Sequence, residues 1–274
     1  LNSSVPPLGT EKIVASKKTR QQEIFMPTIK FSVIRSDHVL SKSFHLGPDG
    51  ELLQDQGGQM TEGFVEVRQV TSLAEFAQEI TNATPHHAFC YGIPLLQPGE
   101  RKRIVTTSQL PFETGAIART NTFFGWHLGP SIGMIDHDSS PDGRCYSCDE
   151  LVEIFDEAVP ELAYTEILWV PSSGSCIYNA ETGAELRGIR GQRFYFSIDD
   201  GHEIERVTDT LFKKLWMAGY GWIKIGKSGA CLTRTLIDDS VYQPCRLDFV
   251  GGAYCKPPLI QRRGNPVLIP ARKQ

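Results

Sequence analysis

The stretch from Gly129 to Ser140 constrains the fold more than any other part of the chain. It holds a short apolar run that is entered through Gly-Pro and left through Ser-Ser-Pro-Asp-Gly, which is typical of a single buried strand. Asp136 and Asp138 stand at the exit of this strand. Because residues i and i+2 of a strand point to the same face, both carboxylates are predicted to project together, with His137 on the opposite face.

Two neighbouring carboxylates repel each other and raise each other's pKa unless a cation lies between them. In phosphoryl-transfer enzymes, a divalent metal ion held by oxygen ligands supplies that cation. A lone Asp-x-Asp is more often a solvated turn at the end of a strand. The choice between these interpretations therefore depends on acidic and cationic residues elsewhere in the chain.

The composition narrows the class of protein. A chain of 274 residues with 40% hydrophobic and 22% charged residues is ordinary for a soluble globular protein of one large domain or two small ones. The formal net charge of -4 argues against non-specific coating of nucleic acid but permits a local basic cleft. No apolar run approaches the roughly 18 residues of a membrane span, so no membrane partner is expected. The seven dispersed cysteines favour reduced thiols in a cytoplasmic protein.

The chain is predicted to divide into four parts. Residues 1–35 are polar and contain prolines, which favours a mobile leader. Residues 36–128 hold short strand-like runs and an amphipathic helical pattern that begins near Thr71, which indicates an N-terminal αβ lobe. Residues 129–260 hold the carboxylate strand and form the second lobe. Residues 261–274 are rich in proline and basic residues and are predicted to be a tail or linker.

Two features of the second lobe indicate an anion site. The turn from Pro171 to Ser175 ends a predicted strand, and its glycine and small hydroxyl residues let backbone N–H groups approach an anion closely. Arg193 begins the predicted strand over residues 191–198 and would place a cation beside that turn. A plain serine turn and a surface arginine are the alternatives at these positions.

A third carboxylate, Asp238, follows the apolar second strand of a hairpin predicted around the turn from Gly226 to Gly229. The adjacent Asp239 would point to the opposite strand face, so it is left out of the metal site. Lys227 lies in a Gly-Lys-Ser sequence within the turn. The glycine that a P-loop needs upstream is missing and no helix follows, so a P-loop is rejected.

Cys145 and Cys148 have the spacing of zinc ligands. A structural zinc usually needs two further ligands, often as a second close pair, and the remaining cysteines are dispersed. Cysteines in a loop that leads into a helix over residues 149–158 are therefore preferred to a zinc site.

The order of these features resembles the archaeo-eukaryotic primase superfamily, the primase-polymerases often found on plasmids, phages and integrated elements. Met134-Ile-Asp-His-Asp138 resembles the family's first motif. The serine turn together with Gly191-Gln-Arg193 resembles the two halves of its second motif. Ile237-Asp-Asp-Ser-Val-Tyr-Gln-Pro-Cys-Arg246 resembles its third. Arg193 stands where the family has a nucleotide-binding histidine; an arginine can hold a phosphate but does not titrate near neutral pH.

The resemblance implies an α+β fold in which an RRM-like palm sheet with helices on one face is combined with the N-terminal lobe. It implies template-directed nucleotidyl transfer on a DNA template, with nucleoside triphosphates as substrates and a helicase domain or subunit as a further partner. The residues that would hold one or two Mg²⁺ or Mn²⁺ ions are Asp136, Asp138 and Asp238. The residues that would bind the nucleotide are Ser173, Ser175, Arg193, Arg246 and Lys227, with Arg119 and Lys256 as weaker candidates for phosphate or template contacts.

Two other functions would use the same residues. A metal-dependent nuclease would apply the three carboxylates to a phosphodiester and would degrade DNA without nucleoside triphosphates. A non-catalytic replication-initiator module would bind DNA regardless of metal or carboxylates, and the absence of the family histidine motivates this alternative.

Overall fold

The computed structural model describes residues 28–55, 57, 59–96, 99–138 and 143–274. Within these residues the fold is mixed α+β, as predicted, with three α-helices and several small sheets. The helices are α1 (Leu73–Asn82), α2 (Cys148–Ala158) and α3 (Ile204–Leu215). The strands are β1 (Ile29–Arg35), β2 (Ser43–Leu46), β3 (Leu52–Asp55), β4 (Glu62–Val70), β5 (His87–Cys90), β6 (Ile93–Pro94), β7 (Arg101–Val105), β8 (Ile117–Ala118), β9 (Phe124–Gly125), β10 (Ser131–His137), β11 (Ile167–Pro171), β12 (Ile177–Asn179), β13 (Glu185–Arg187), β14 (Gln192–Ile198), β15 (Trp222–Ile225), β16 (Cys231–Arg234), β17 (Tyr254–Cys255), β18 (Leu259–Gln261) and β19 (Val267–Ile269).

The N-terminal lobe is built on a five-stranded sheet in the order β5-β1-β4-β7-β8. Strand β1 lies inside this sheet and pairs antiparallel with both β4 and β5. The prediction of a mobile leader is therefore wrong for residues 29–35, because their apolar side chains are buried between two neighbouring strands. The rest of the predicted leader, residues 1–27, lies outside the described residues.

Helix α1 covers one face of this sheet. The Ser72 hydroxyl caps it by accepting from the Glu75 N–H, while the Glu75 carboxylate accepts from the Thr71 N–H at 2.7 Å. Its apolar stripe places the Phe76 ring against Phe31, with ring centroids 5.1 Å apart in an edge-to-face arrangement. The helix predicted near Thr71 is thus present, and its position is set by apolar burial.

The second lobe holds an antiparallel sheet in the order β10-β14-β11-β19. Helix α2 connects β10 to β11 and α3 follows β14, and both pack on one face through a buried cluster that includes Phe155, Phe194 and Leu211. Residues 235–238 run along the free edge of β10, where the Asp238 N–H donates to the Asp136 carbonyl at 2.9 Å. The observed spatial order is therefore 235–238, β10, β14, β11, β19.

The two lobes share one core. The face of the second sheet that α2 and α3 leave uncovered packs against α1, where the Phe76 ring lies 5.4 Å from the Tyr195 ring. Phe89 and Asp248 exchange backbone hydrogen bonds of 2.8 Å and so join β5 to the segment that follows Asp238. Among the described residues, no helix combines the length and apolar character needed to cross a bilayer.

The C-terminal segment is a strand of the second sheet. Strand β19 pairs with the edge of β11 and lies between two prolines, Pro266 and Pro270, a position that an edge strand tolerates. Beyond it, the Arg272 guanidinium binds both carboxylate oxygens of Asp156 on α2, at 2.8 and 2.7 Å. The prediction of a linker-like tail over residues 261–274 is wrong here, because the short apolar run between the prolines completes the sheet.

Candidate active site

The three predicted carboxylates line one cavity of about 330 Å³. Asp136 is the sixth residue of β10 and Asp138 follows the strand, while Asp238 reaches the same place from a segment about a hundred residues further along the chain. The backbone hydrogen bond between Asp238 and Asp136 fixes their proximity. The fold therefore brings together the acidic residues that were singled out from the sequence.

Asp136 has the most perturbed carboxyl group of the three. Its side chain is 18% exposed, and burial is the main reason that its pKa is raised to about 6. Arg193 opposes this shift, whereas the negative charges of Asp138, Asp248 and Asp238 add to it. A cation placed among these carboxylates would remove the electrostatic cost of ionising Asp136.

The donor set suits a hard divalent cation, because it consists of carboxylate oxygens on one wall of a cavity. Across the described ranges, however, no group of three His, Cys, Asp or Glu side chains is already arranged to hold a metal ion. The Asp238 carboxylate instead accepts from the N–H and hydroxyl of Ser240, at 2.9 and 2.8 Å, and caps the short turn Asp239–Val241. Each oxygen thus already accepts one hydrogen bond, and coordination of a metal ion by Asp238 would use the remaining lone pairs.

Arg193 lies opposite Asp136 in the register of β10 and β14. Its Nη1 is 2.6 Å from Asp248 Oδ1 and donates to the Phe249 carbonyl, while its Nε is 3.6 Å from Asp136 Oδ1. Burial lowers its pKa, but the two carboxylates raise it by more, so the guanidinium stays charged. Nε is buried and faces Asp136 without making a hydrogen bond within the described part of the chain. Arg193 is thus a cavity residue that is also held by two carboxylates.

Asp248 was not identified from the sequence. It is 2% exposed and accepts hydrogen bonds from the hydroxyls of Tyr91 and Tyr195, at 2.5 and 2.8 Å. Burial and the Asp248 charge raise the pKa of both tyrosines, so both hydroxyls stay protonated and keep donating. The signal in the sequence is an aspartate inside the apolar run from Leu247 to Val250, a pattern typical of a buried, paired carboxylate.

Four cationic side chains line the same cavity as the three carboxylates: Lys42, Arg119, Arg193 and Arg246. The Arg119 Nη1 donates to the Cys245 carbonyl at 2.8 Å, and its buried Nε has no hydrogen-bond partner in the described structure. Lys42 was missed because it is an isolated lysine before a short strand. Its Nζ lies over Gly174, where a Cβ would come within 3.2 Å of it.

Of the other residues predicted to contact nucleotide or template, some line the cavity and others lie away from it. Ser173 is buried on the cavity wall. Ser175 is not on that wall: its hydroxyl donates to the Gly191 carbonyl and accepts from the Arg190 N–H, so it stabilises the turn. Lys227 is exposed in the turn between β15 and β16, and Lys256 pairs with Asp55 at 3.3 Å. Ser175 and Lys227 therefore lie outside the lining of this cavity, and their predicted nucleotide contacts stay predictions.

His137 and the two cysteines lie outside the cavity. The His137 Nδ1 is 2.6 Å from the Leu236 carbonyl, and burial lowers the pKa of this ring, so the residue ties β10 to its neighbour as a structural group. Cys145 is exposed, while burial raises the pKa of Cys148 to about 12. In the ranges that the structure describes, these cysteines belong to no group of three potential metal ligands.

A second cavity, of about 500 Å³, meets the first at Asp138 and Asp238. Its other wall is formed mainly by the β15–β16 hairpin, which contributes Trp222, Lys224 and Arg234. Two cavities that share a pair of carboxylates can hold two substrates on either side of the same reacting position.

No protein-family model, curated protein or solved structure matches the chain. Function is therefore inferred from the residues, the fold and the two cavities.

Proposed function

We propose that the protein is a template-directed nucleotidyltransferase, a DNA primase or DNA polymerase, that joins nucleotides on a DNA template. The observation that carries this proposal is the convergence of Asp136, Asp138 and Asp238 on one wall of a cavity that also holds four cationic side chains. Acidic residues for a metal and cations for a triphosphate are the two parts that phosphoryl transfer needs.

The sheet topology supports the proposal. The sheet order β10-β14-β11, with α2 and α3 on one face and residues 235–238 hydrogen-bonded beside β10, supports a β-α-β-β-α-β arrangement of the ferredoxin-like kind. The RRM-like palm that the resemblance to the archaeo-eukaryotic primases implies would have this arrangement. The palm is then extended by β19, while the N-terminal lobe covers its other face.

The residues have separate roles in the proposed reaction. Asp136, Asp138 and Asp238 would hold Mg²⁺ or Mn²⁺, and the ion would supply positive charge to the transferring phosphoryl group. Lys42, Arg119 and Arg246 bind the triphosphate, and the cavity volume is within the usual range for small-molecule sites. A bond forms between the 3′ oxygen of the acceptor strand and the α-phosphorus. The bond to the leaving diphosphate breaks, and the hydroxyl proton passes to solvent.

Arg193 supplies fixed positive charge in this scheme. Tyr91 and Tyr195 hold Asp248, and Asp248 holds the Arg193 guanidinium, so its orientation is set before substrate binds. Because it remains charged, Arg193 stabilises negative charge on the phosphates without exchanging a proton.

The proposal is tested by incubating the protein with single-stranded DNA, labelled nucleoside triphosphates and Mn²⁺ or Mg²⁺. We expect template-dependent products, and we expect them to disappear in the Asp136→Asn/Asp138→Asn double variant. Products that persist in this variant contradict the assignment of the metal site. Loss of full-length DNA without any requirement for nucleotides would instead identify a nuclease.

A non-catalytic DNA-binding initiator is the second candidate. The observation that favours it is the ion pair of Arg193 with Asp136, which already provides a cation at the carboxylate that a metal would need. This function predicts DNA binding that is unchanged by EDTA and by the Asp136→Asn/Asp138→Asn double variant, with no nucleotide incorporated. A helicase domain or subunit, which the resemblance implies, is compatible with either function.

A further inference from the structure

We propose that the cavity beneath the β15–β16 hairpin binds the 3′ end of the nucleic-acid strand that accepts the nucleotide. This inference rests on the proposed function and assigns the second substrate site. The cavity has a volume of about 500 Å³ and shares Asp138 and Asp238 with the cation-lined cavity. A strand end bound here would therefore lie beside the carboxylates from the side opposite the triphosphate.

The register of the hairpin gives its two faces different chemistry. Trp222 pairs with Arg234 and Lys224 pairs with Leu232, so these four side chains share one face. Trp222, Lys224 and Arg234 of this face line the cavity, and Ile223 of the other face adds one apolar side chain to its wall. Ile225, on the other face, is 63% exposed.

An aromatic ring between two cations is the arrangement that binds single-stranded nucleic acid. Bases of any sequence stack on aromatic side chains, while lysine and arginine contact the backbone phosphates. Trp222 packs partly against the core beneath α3, which holds its ring in place at the cavity. Lys224 makes no ion pair among the described residues, and Arg234 has a single weak one, 3.7 Å from Asp239.

The charges of the two cavities indicate which substrate occupies each. Four cations line the first cavity, which suits the concentrated negative charge of a triphosphate. The second offers two cations and a stacking surface, which suits a terminal base and its adjoining phosphates.

The test uses the full chain and two probes that need no catalysis. The first is a short DNA oligonucleotide with 2-aminopurine as its 3′-terminal base, and its matched control carries 2-aminopurine at the 5′ end. The second is a fluorescent, non-hydrolysable nucleoside triphosphate analogue. We expect the 3′ probe to be quenched more strongly than the 5′ probe, because its terminal base stacks on Trp222.

Substitutions of the hairpin are expected to act on the oligonucleotide alone. Trp222→Ala should weaken oligonucleotide binding by about 10-fold and remove the extra quenching of the 3′ probe, and Trp222→Phe should restore much of both. The Lys224→Ala/Arg234→Ala variant, in which an exposed and a half-buried cation are removed, should lower the slope of log affinity against log salt by about 1.4, for two phosphate contacts. Lys213→Ala/Lys214→Ala, which also removes two positive charges but on α3, should leave both measurements unchanged.

The outcomes separate this inference from the proposed function. Hairpin variants that weaken the nucleotide analogue and leave the oligonucleotide unaffected would overturn the inference, as would variants that change neither probe. If the variants weaken the 3′ probe as expected but the wild-type protein incorporates no nucleotide, the strand site stands and the nucleotidyltransferase proposal fails. If the wild-type protein incorporates nucleotides and the variants bind the 3′ probe normally, the nucleotidyltransferase proposal stands and the strand site fails.

Discussion

Arg193 and Asp248 form a buried ion pair behind the cavity, with side chains 9% and 1% exposed. Removing one partner of a buried pair leaves the other charge uncompensated, which costs more than the pair itself contributes. Asp248 also anchors two tyrosine hydroxyls, so a single carboxylate links β14 to the N-terminal lobe. The geometry of the cavity therefore depends on a residue that the proposed reaction does not use directly.

Asp248→Asn is expected to lower the free energy of unfolding by about 3 kcal/mol, because the Arg193 charge loses its closest partner. Urea denaturation measures this change. The matched control is Asp55→Asn, whose exposed carboxylate pairs with Lys256 and should contribute less than about 1 kcal/mol. Equal losses of unfolding free energy in the two variants would contradict a larger contribution from the buried Arg193–Asp248 pair than from the exposed Asp55–Lys256 pair.

Because the pKa of the Asp136 carboxyl is raised, we expect this group to lower the stability of the folded protein as the pH rises. Its pKa rises from 3.8 to about 6 in the folded protein, so between these values the folded state binds more protons than the unfolded state. In EDTA-containing buffer, the stability of the wild type relative to Asp136→Asn should fall as the pH rises from about 4 to about 6, by at most about 3 kcal/mol. Parallel stability curves for the two proteins over this range would contradict the shifted pKa.

The sequence was sufficient to predict the three carboxylates of the site, but not the buried and cationic residues around them. Asp136, Asp138 and Asp238 could be found because each stands at the exit of an apolar run. Lys42 and Asp248 could not be assigned, because their neighbours come from distant parts of the chain. Arg193 was predicted as a cation beside the serine turn, and it lines the same cavity as Ser173. Its two carboxylate partners depend on sheet register and on a contact across 55 residues, which spacing does not encode.

Among the elements, two helices followed from the sequence more closely than the first and last strands. Caps and apolar spacing predicted α1 and α2, because these signals are local. Strands β1 and β19 were predicted as leader and tail, because their polar and proline-rich surroundings outweighed their short apolar runs. What stabilises both strands is pairing with partners that lie far away in the chain.

The anchoring of β19 gives a prediction at this scale. Arg272 makes a two-point ion pair with Asp156 and donates to the Leu162 carbonyl at 2.7 Å, which ties the C-terminal strand to α2. Arg272→Ala should lower the free energy of unfolding by about 2 kcal/mol, since hydrogen bonds to charged groups contribute about 1.5–3 kcal/mol. The exposed Lys273 serves as control, and Lys273→Ala should have little effect in the same urea titration. Similar losses in both variants would contradict the anchoring role.

On the scale of the whole molecule, the site exists because two lobes and two distant segments meet. The N-terminal lobe contributes Lys42 and Arg119 to the cavity. The sheet of the second lobe contributes Asp136, and the segment after the β15–β16 hairpin contributes Asp238. The sequence alone was sufficient to list Arg119, Asp136 and Asp238 in their order along the chain. It could not give the two cavities that meet at shared carboxylates, because their walls are set by the packing of the lobes and by the path of the hairpin.

The central claim is tested most directly by nucleotide incorporation in a pair of variants, Asp238→Asn and Asp239→Asn. Both remove one negative charge from adjacent residues, and asparagine preserves the cap that Asp238 provides for Ser240. Asp238 lines the cavity whereas the neighbouring Asp239 does not. We predict that Asp238→Asn abolishes template-dependent incorporation and that Asp239→Asn retains it. Full activity of Asp238→Asn, or equal loss in both variants, would contradict a metal site built from these three carboxylates.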